Sequence, residues 1–142
     1  MGLRQAIKGK RVYFDTNVFI YLVEGYAAFE TSLNDIRDSI FHQEAEIFTS
    51  ELTLCEVLVV PFRSNNTELV NIYRQLIQES GAFNLFPTKL ETYIRASLFR
   101  AQMGLKMADA IHMATAVEWR CEVFVSNDIG LKVPKGMASV GL

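Results

Sequence analysis

Short apolar runs of strand length alternate with longer stretches of helical period along the whole chain, and this alternation limits the fold more than any other feature. Arg11–Phe14, Glu46–Thr49, Phe83–Phe86 and Val123–Val125 read as strands, with a weaker one near Met137–Val140. Helices are expected between them. One runs from Val18 to Glu24 and stops at Gly25. Phe29, Leu33, Ile36 and Ile40, spaced by 4, 3 and 4, give the stripe of a second. A third is capped by Ser50 and runs to about Val60. Leu69, Ile72, Tyr73, Leu76 and Ile77 mark a fourth, ended near Gly81. Leu90, Ile94, Leu98 and Ala101 mark a fifth, ended by Gly104, and Asp109, Ile111, Met113, Ala114 and Val117 sit in a sixth. Strands alternating with helices imply right-handed crossovers and parallel pairing. The expected architecture is α/β, three layers deep, with a mostly parallel central sheet. Val123–Val125 has no polar residue, as befits a strand covered on both faces.

The length of 142 residues suits one domain over residues 1–142. Half the residues are apolar, which supplies a core and excludes a disordered chain. Pro61, Pro87 and Pro134 read as punctuation between elements. Cys55 and Cys121 form no C-x-x-C pair and are too few for a disulfide framework, so two buried thiols in a reducing compartment are expected. No apolar stretch approaches a membrane span, and the basic lead from Met1 to Lys10 runs into a strand instead of a signal-peptide core. The expected location is cytoplasmic. The net charge of −2 argues mildly against a non-specific nucleic-acid binder, unless several carboxylates are gathered at one site and bind a dication.

Four acids fit that exception. Asp15 and Asp128 each end a strand, where ligands bind in open parallel sheets. Glu56 and Asp109 lie on helices that are otherwise apolar, where an unpartnered charge is costly to bury. Each alone has an ordinary explanation: a cap at Asp15, a capping box from Thr53 to Glu56, a first-turn acid at Asp109, a turn at Asp128. Their joint placement is harder to dismiss. Clustered carboxylates take up protons unless a cation holds them. An all-oxygen site suits Mg²⁺ or Mn²⁺ and argues against structural zinc.

The same residues carry a resemblance to the PIN domain, and within it to the VapC-like ribonuclease toxins of prokaryotic toxin–antitoxin pairs. Val12-Tyr13-Phe14-Asp15-Thr16-Asn17 resembles the opening strand and Asp-Thr-Asn/Ser motif of that family. Thr49–Glu56 resembles its Ser/Thr-x-x-Glu segment, Asp109–Ala116 its Asp-Ala-x-x-x-Ala-x-Ala helix, and Ser126-Asn127-Asp128 its closing Thr/Ser-x-Asp. The likeness covers nearly the whole chain, in order. It departs in the basic lead and in the slightly negative net charge.

The resemblance implies a PIN-like fold and a metal-dependent endoribonuclease that hydrolyses RNA phosphodiester bonds with Mg²⁺ or Mn²⁺. Asp15, Asp109 and Asp128 are implied as direct ligands. Glu56 would ligate directly, act through water, or serve as a base. Thr16, Asn17, Thr53 and Ser126 are implied as groups that orient these acids. A small antitoxin and a homodimer are the implied partners, with RNA as substrate. His112, one turn after Asp109, is expected to be structural. Trp119, Tyr73 and Tyr93 are expected in the core or an interface. Lys106, Arg63, Arg74 and Arg100 are candidate phosphate contacts, Lys106 foremost. Two rival readings differ in class. One is a catalytically silent PIN-like module that binds RNA or protein. The other is a nucleotide-binding or phospho-acceptor domain, for which no G-x-G-x-x-G or Walker loop is present.

Overall fold

The computed structural model describes residues 2–142. Its frame is a sheet of β1 (Arg11–Phe14), β2 (Glu46–Ser50), β3 (Asn84–Phe86), β4 (Val123–Val125) and β5 (Ala138–Val140). The five strands lie in the order β3-β2-β1-β4-β5, and every pairing is parallel. The central strand is β1, where Val12 pairs with Ile47 on one side and Val123 on the other. The helices are α1 (Leu3–Ile7), α2 (Thr16–Glu24), α3 (Glu30–Phe41), α4 (Glu51–Arg63), α5 (Thr67–Arg74), α6 (Leu90–Met103) and α7 (Met107–Glu118). A short 3₁₀ turn, Ala27–Phe29, leads into α3, and a π turn, Gln75–Glu79, extends α5.

The two-residue period of the strands sorts the core into two halves. Val12, Phe14, Ile47, Val123 and Val125 pack with Ile7 of α1, Phe19 of α2, Ile36 of α3 and Tyr73 of α5. Tyr13, Phe48 and Phe124 face the other way and pack with Ala96 and Phe99 of α6 and Ala110, Met113 and Ala114 of α7. Helices therefore cover both faces, as the alternation predicts. All residues of α7 from Ala110 to Ala116 are buried, because its small side chains let it lie close between the sheet and α6.

This order places the site. From β1 the chain steps to β2 and β3 on one side, and later to β4 and β5 on the other. Ligand crevices open where the winding reverses, beyond the carboxyl ends of the two strands. Here those are the ends of β1 and β4. The Asp15 N–H donates to the Val125 carbonyl at 3.0 Å, so the ladder continues one residue past β1.

Three expectations change, at Cys55, Pro61 and Tyr93, and the basic lead, whose role the sequence leaves open, finds one. Cys55 is exposed, so only Cys121 is the buried thiol expected. The basic lead is part of the fold, since α1 buries Leu3 and Ile7 against the first core half. Arg4 fastens it with a two-pronged bond to Glu44, 2.8 Å at each prong. Pro61 does not separate elements. It lies in the last turn of α4, where its missing N–H costs one ladder bond near the helix end and its ring is buried. Tyr93 is not core: it stands on α6, 51% exposed, whereas Tyr73 is 1% exposed as expected. Among the described residues no helix is long and apolar enough to cross a membrane.

Docking of the lead can be weighed directly. Ile7 is fully buried, so Ile7→Ala should cost about 2–5 kcal/mol in urea unfolding. A loss below about 0.5 kcal/mol would place α1 outside the cooperative core.

Candidate active site

Asp15 follows β1 and caps α2, with its carboxylate accepting the Thr16 N–H at 2.8 Å. Its second oxygen accepts from the Ser126 hydroxyl at 2.7 Å and from the Asn17 amide at 3.4 Å. Asn17 also donates to the Ser126 Oγ at 3.2 Å and accepts the Asn127 N–H at 2.9 Å. These bonds knit the end of β1 to the end of β4. Ser126 Oγ accepts the Asp128 N–H at 3.0 Å, and Asp128 Oδ1 accepts the Gly130 N–H at 3.2 Å. The cap at Asp15 and the turn at Asp128 are thus real, and the same bonds fix the two carboxylates beside the crevice. Asp15 is buried and Asp128 is exposed.

Glu56 does not belong to a capping box. Ser50 caps α4, accepting the Leu52 N–H at 3.0 Å, and Glu56 lies a turn further in. Its Oε1 accepts from the Thr16 hydroxyl at 2.7 Å and from His112 Nε2 at 2.6 Å. An ionised carboxylate only accepts, so Nε2 carries a proton. In the neutral ring Nδ1 is then an acceptor, and the Tyr13 hydroxyl, 2.6 Å away, is its donor. Burial pushes the Glu56 carboxyl up, but the hydrogen bonds from His112 and Thr16 outweigh it and hold the group below the ordinary range. Burial, and then the charge of Asp15, push the Tyr13 phenol well up, so it keeps the proton it donates.

Asp109 lies in the first turn of α7 and is half-buried. Burial raises its carboxyl above the ordinary range, and the charge of Asp15 raises it further. Asp128 and Glu56 add to this, and His112 opposes it. The charges of the other three acids therefore all reach Asp109. His112 Nε2 also comes within 3.9 Å of Asp15. Among the described residues, no three His, Cys, Asp or Glu side chains are drawn close enough to hold an ion as they stand.

Thr16, Asn17 and Ser126 all touch an acid. Thr53 does not: its hydroxyl pairs with that of Thr49 at 2.7 Å, and Thr49 donates to the Phe14 carbonyl at 3.1 Å. That pair steadies the backbone just before Asp15. Lys106, Arg63, Arg74 and Arg100 are all exposed. His112 is buried and hydrogen-bonded, as expected of a structural residue, but its partner is Glu56. Its place one turn after Asp109 was the available signal, and the missing piece was Glu56 on another helix. No sequence motif assigns a site role to Tyr13, although the strand period places it on the face opposite Val12 and Phe14.

The sequence matches the PIN domain family over residues 12–136. No curated protein matches it. Among solved structures, the VapBC2 complex of Rickettsia felis, bound to promoter DNA, has a chain 12% identical, with a TM-score of 0.69 and coverage of 92% of this chain and 98% of that one. A toxin–antitoxin complex from Klebsiella pneumoniae is 24% identical, with a TM-score of 0.60 and coverage of 82% and 86%. VapC20 of Mycobacterium tuberculosis, described as a sarcin–ricin loop cleaving toxin, is 13% identical, with a TM-score of 0.61 and coverage of 80% and 86%. At such identities these structures speak for the fold. Taken with a family match over most of its length, they leave one assignment: the chain belongs to the PIN domain family.

Proposed function

We propose that the protein is a Mg²⁺- or Mn²⁺-dependent endoribonuclease, acting in the cytoplasm as the toxin of a toxin–antitoxin pair. The observation that carries this reading is the joint placement of the acids: Ser126 ties Asp15 and Asp128 together at the ends of β1 and β4, and the charges of Asp15, Asp128 and Glu56 all bear on Asp109. Such repulsion is relieved by a cation, and the donor set is all oxygen, which fits a hard dication. Asp15, Asp109 and Asp128 would hold it directly. Glu56, held in its ionised form, suits a ligand, direct or through water, better than a base. When bound, the dication would supply an activated water and neutralise charge on the phosphate.

The chain's own residues do the positioning. Ser126, Asn17 and the Thr16 N–H fix Asp15 between two strand ends. Thr16 and His112 fix Glu56. Lys106, exposed just before α7, and Arg100, exposed and donating to the Leu105 carbonyl at 3.3 Å, are candidates for RNA phosphate contacts. The antitoxin reading is supported by the Klebsiella pneumoniae relative, which is a toxin–antitoxin complex. Val59, Val60 and Phe62 on α4, and Leu90, Tyr93, Ile94 and Leu98 on α6, are exposed apolar side chains that suit an antitoxin and a homodimer.

The test is RNA cleavage by the purified chain with Mg²⁺ or Mn²⁺ and in EDTA. Asp15→Asn and Asp109→Asn should each lose more activity than the ~10–100-fold typical of removing an outer-shell partner, with the fold intact. Near-wild-type cleavage in either variant refutes the site. A chain that cuts no RNA, yet binds it equally well in EDTA, is a silent module.

The charge at Asp109 also predicts a stability effect without metal. A carboxyl raised in the folded state contributes its full stability below its unfolded value and loses it as pH rises through the folded value. Asp109→Asn should therefore melt above the wild type at neutral pH in EDTA, and the difference should vanish under acid conditions below the ordinary carboxylate range. A variant less stable than the wild type at pH 7 contradicts the repulsion.

A further inference from the structure

His112 is bonded in a way that a merely satisfied core histidine does not require. Tyr13 satisfies Nδ1 from beneath, at 2.6 Å, and fixes the ring from the central strand. Nε2 then points across to Glu56, at 2.6 Å, on a helix 56 residues away in sequence. Thr16, from a third element, adds its hydroxyl at 2.7 Å. Both bonds fall on the same oxygen, Oε1. The Glu56 side chain is one third exposed, at 33%, and would otherwise be free to turn.

We propose that His112, backed by Tyr13 and joined by Thr16, is a positioning residue that occupies Oε1 of Glu56 and presents the carboxylate to a dication through Oε2 alone. The inference rests on the metal-site reading above and deepens it. Its consequence is ion selectivity. Ca²⁺ takes six to eight oxygens in loose geometry and readily accepts both oxygens of one carboxylate. Mg²⁺ and Mn²⁺ favour a tight octahedron of single oxygens. A Glu56 with one oxygen already committed to two donors serves the second kind of ion and disfavours the first.

The experiment titrates the full chain with Mn²⁺ alone and with Ca²⁺ alone at fixed pH, and reads the ratio of the two affinities. His112→Gln places an amide nitrogen close to the position of Nε2 and keeps a donor to Glu56. His112→Asn is too short to reach it. In His112→Asn the Mn²⁺ affinity should fall by about 10-fold while that for Ca²⁺ holds or rises, so the ratio drops. His112→Gln should keep the ratio within about 3-fold of the wild type, a shift well inside the range of outer-shell losses. A histidine that served only packing would weaken both ions together and leave the ratio unchanged, and that result overturns the proposal. Should His112→Asn lack a native melting transition, Thr16→Val removes the other donor to Oε1 and is read in the same way. A wild-type ratio there overturns the proposal equally. A wild-type chain that binds no Mn²⁺ brings down the metal-site reading itself, which is a different outcome from a bound ion with an unmoved ratio.

Discussion

The parallel pairing of β1 with β4 is the interaction on which the rest depends. It sets the centre of the sheet, and the bond from Asp15 N–H to the Val125 carbonyl carries it into the crevice. Successive residues of β1 then divide the work. Val12 and Phe14 fill one half of the core. Tyr13 turns to the other half and holds His112. Asp15 emerges at the end, held by Ser126 from β4. A slip of one residue would send Tyr13 into the wrong core and remove its bond to His112. Core packing and site geometry are thus fixed by a single register.

Local sequence revealed what depends on local period. The strands came within a residue or so of their ends, and the stripe of α3 placed Leu33 and Ile36 in the core correctly. The turn at Gly104 ended α6 as expected, because that residue sits at φ 68°, where a glycine is at ease. What failed depends on distant partners. The five residues of α1 are too few to show a stripe, and Arg4 holds them through Glu44, forty residues away. Tyr73 and Tyr93 lie in similar patterns, yet only the first has a sheet above it. Pro61 looked like a boundary because a proline's cost is local while the burial of its ring is not.

The acids were legible as an anomaly but not as an arrangement. Charged residues on apolar helices are visible in a linear sequence. Which donors meet them is not. Thr53 and Thr16 both looked able to orient an acid. Thr53 turns to Thr49, while Thr16 gives its N–H to Asp15 and its hydroxyl to Glu56. The difference lies in how α2 and α4 approach one another, which no spacing within either helix records.

Glu56 and Asp109 are satisfied to different degrees. Both are partly buried, and burial pushes both carboxyls upward. Glu56 ends low because His112 and Thr16 donate to it, so its stability is present above its unfolded value and is lost as pH falls through the folded one. Asp109 receives the charge of three other acids and ends high, so its contribution runs the other way. On the proposed reading, a cation would relieve the charge at Asp109, and the donors to Glu56 would lower the ordering cost of binding. The two opposite shifts thus follow from one difference: Glu56 has donors, and Asp109 has neighbouring charges.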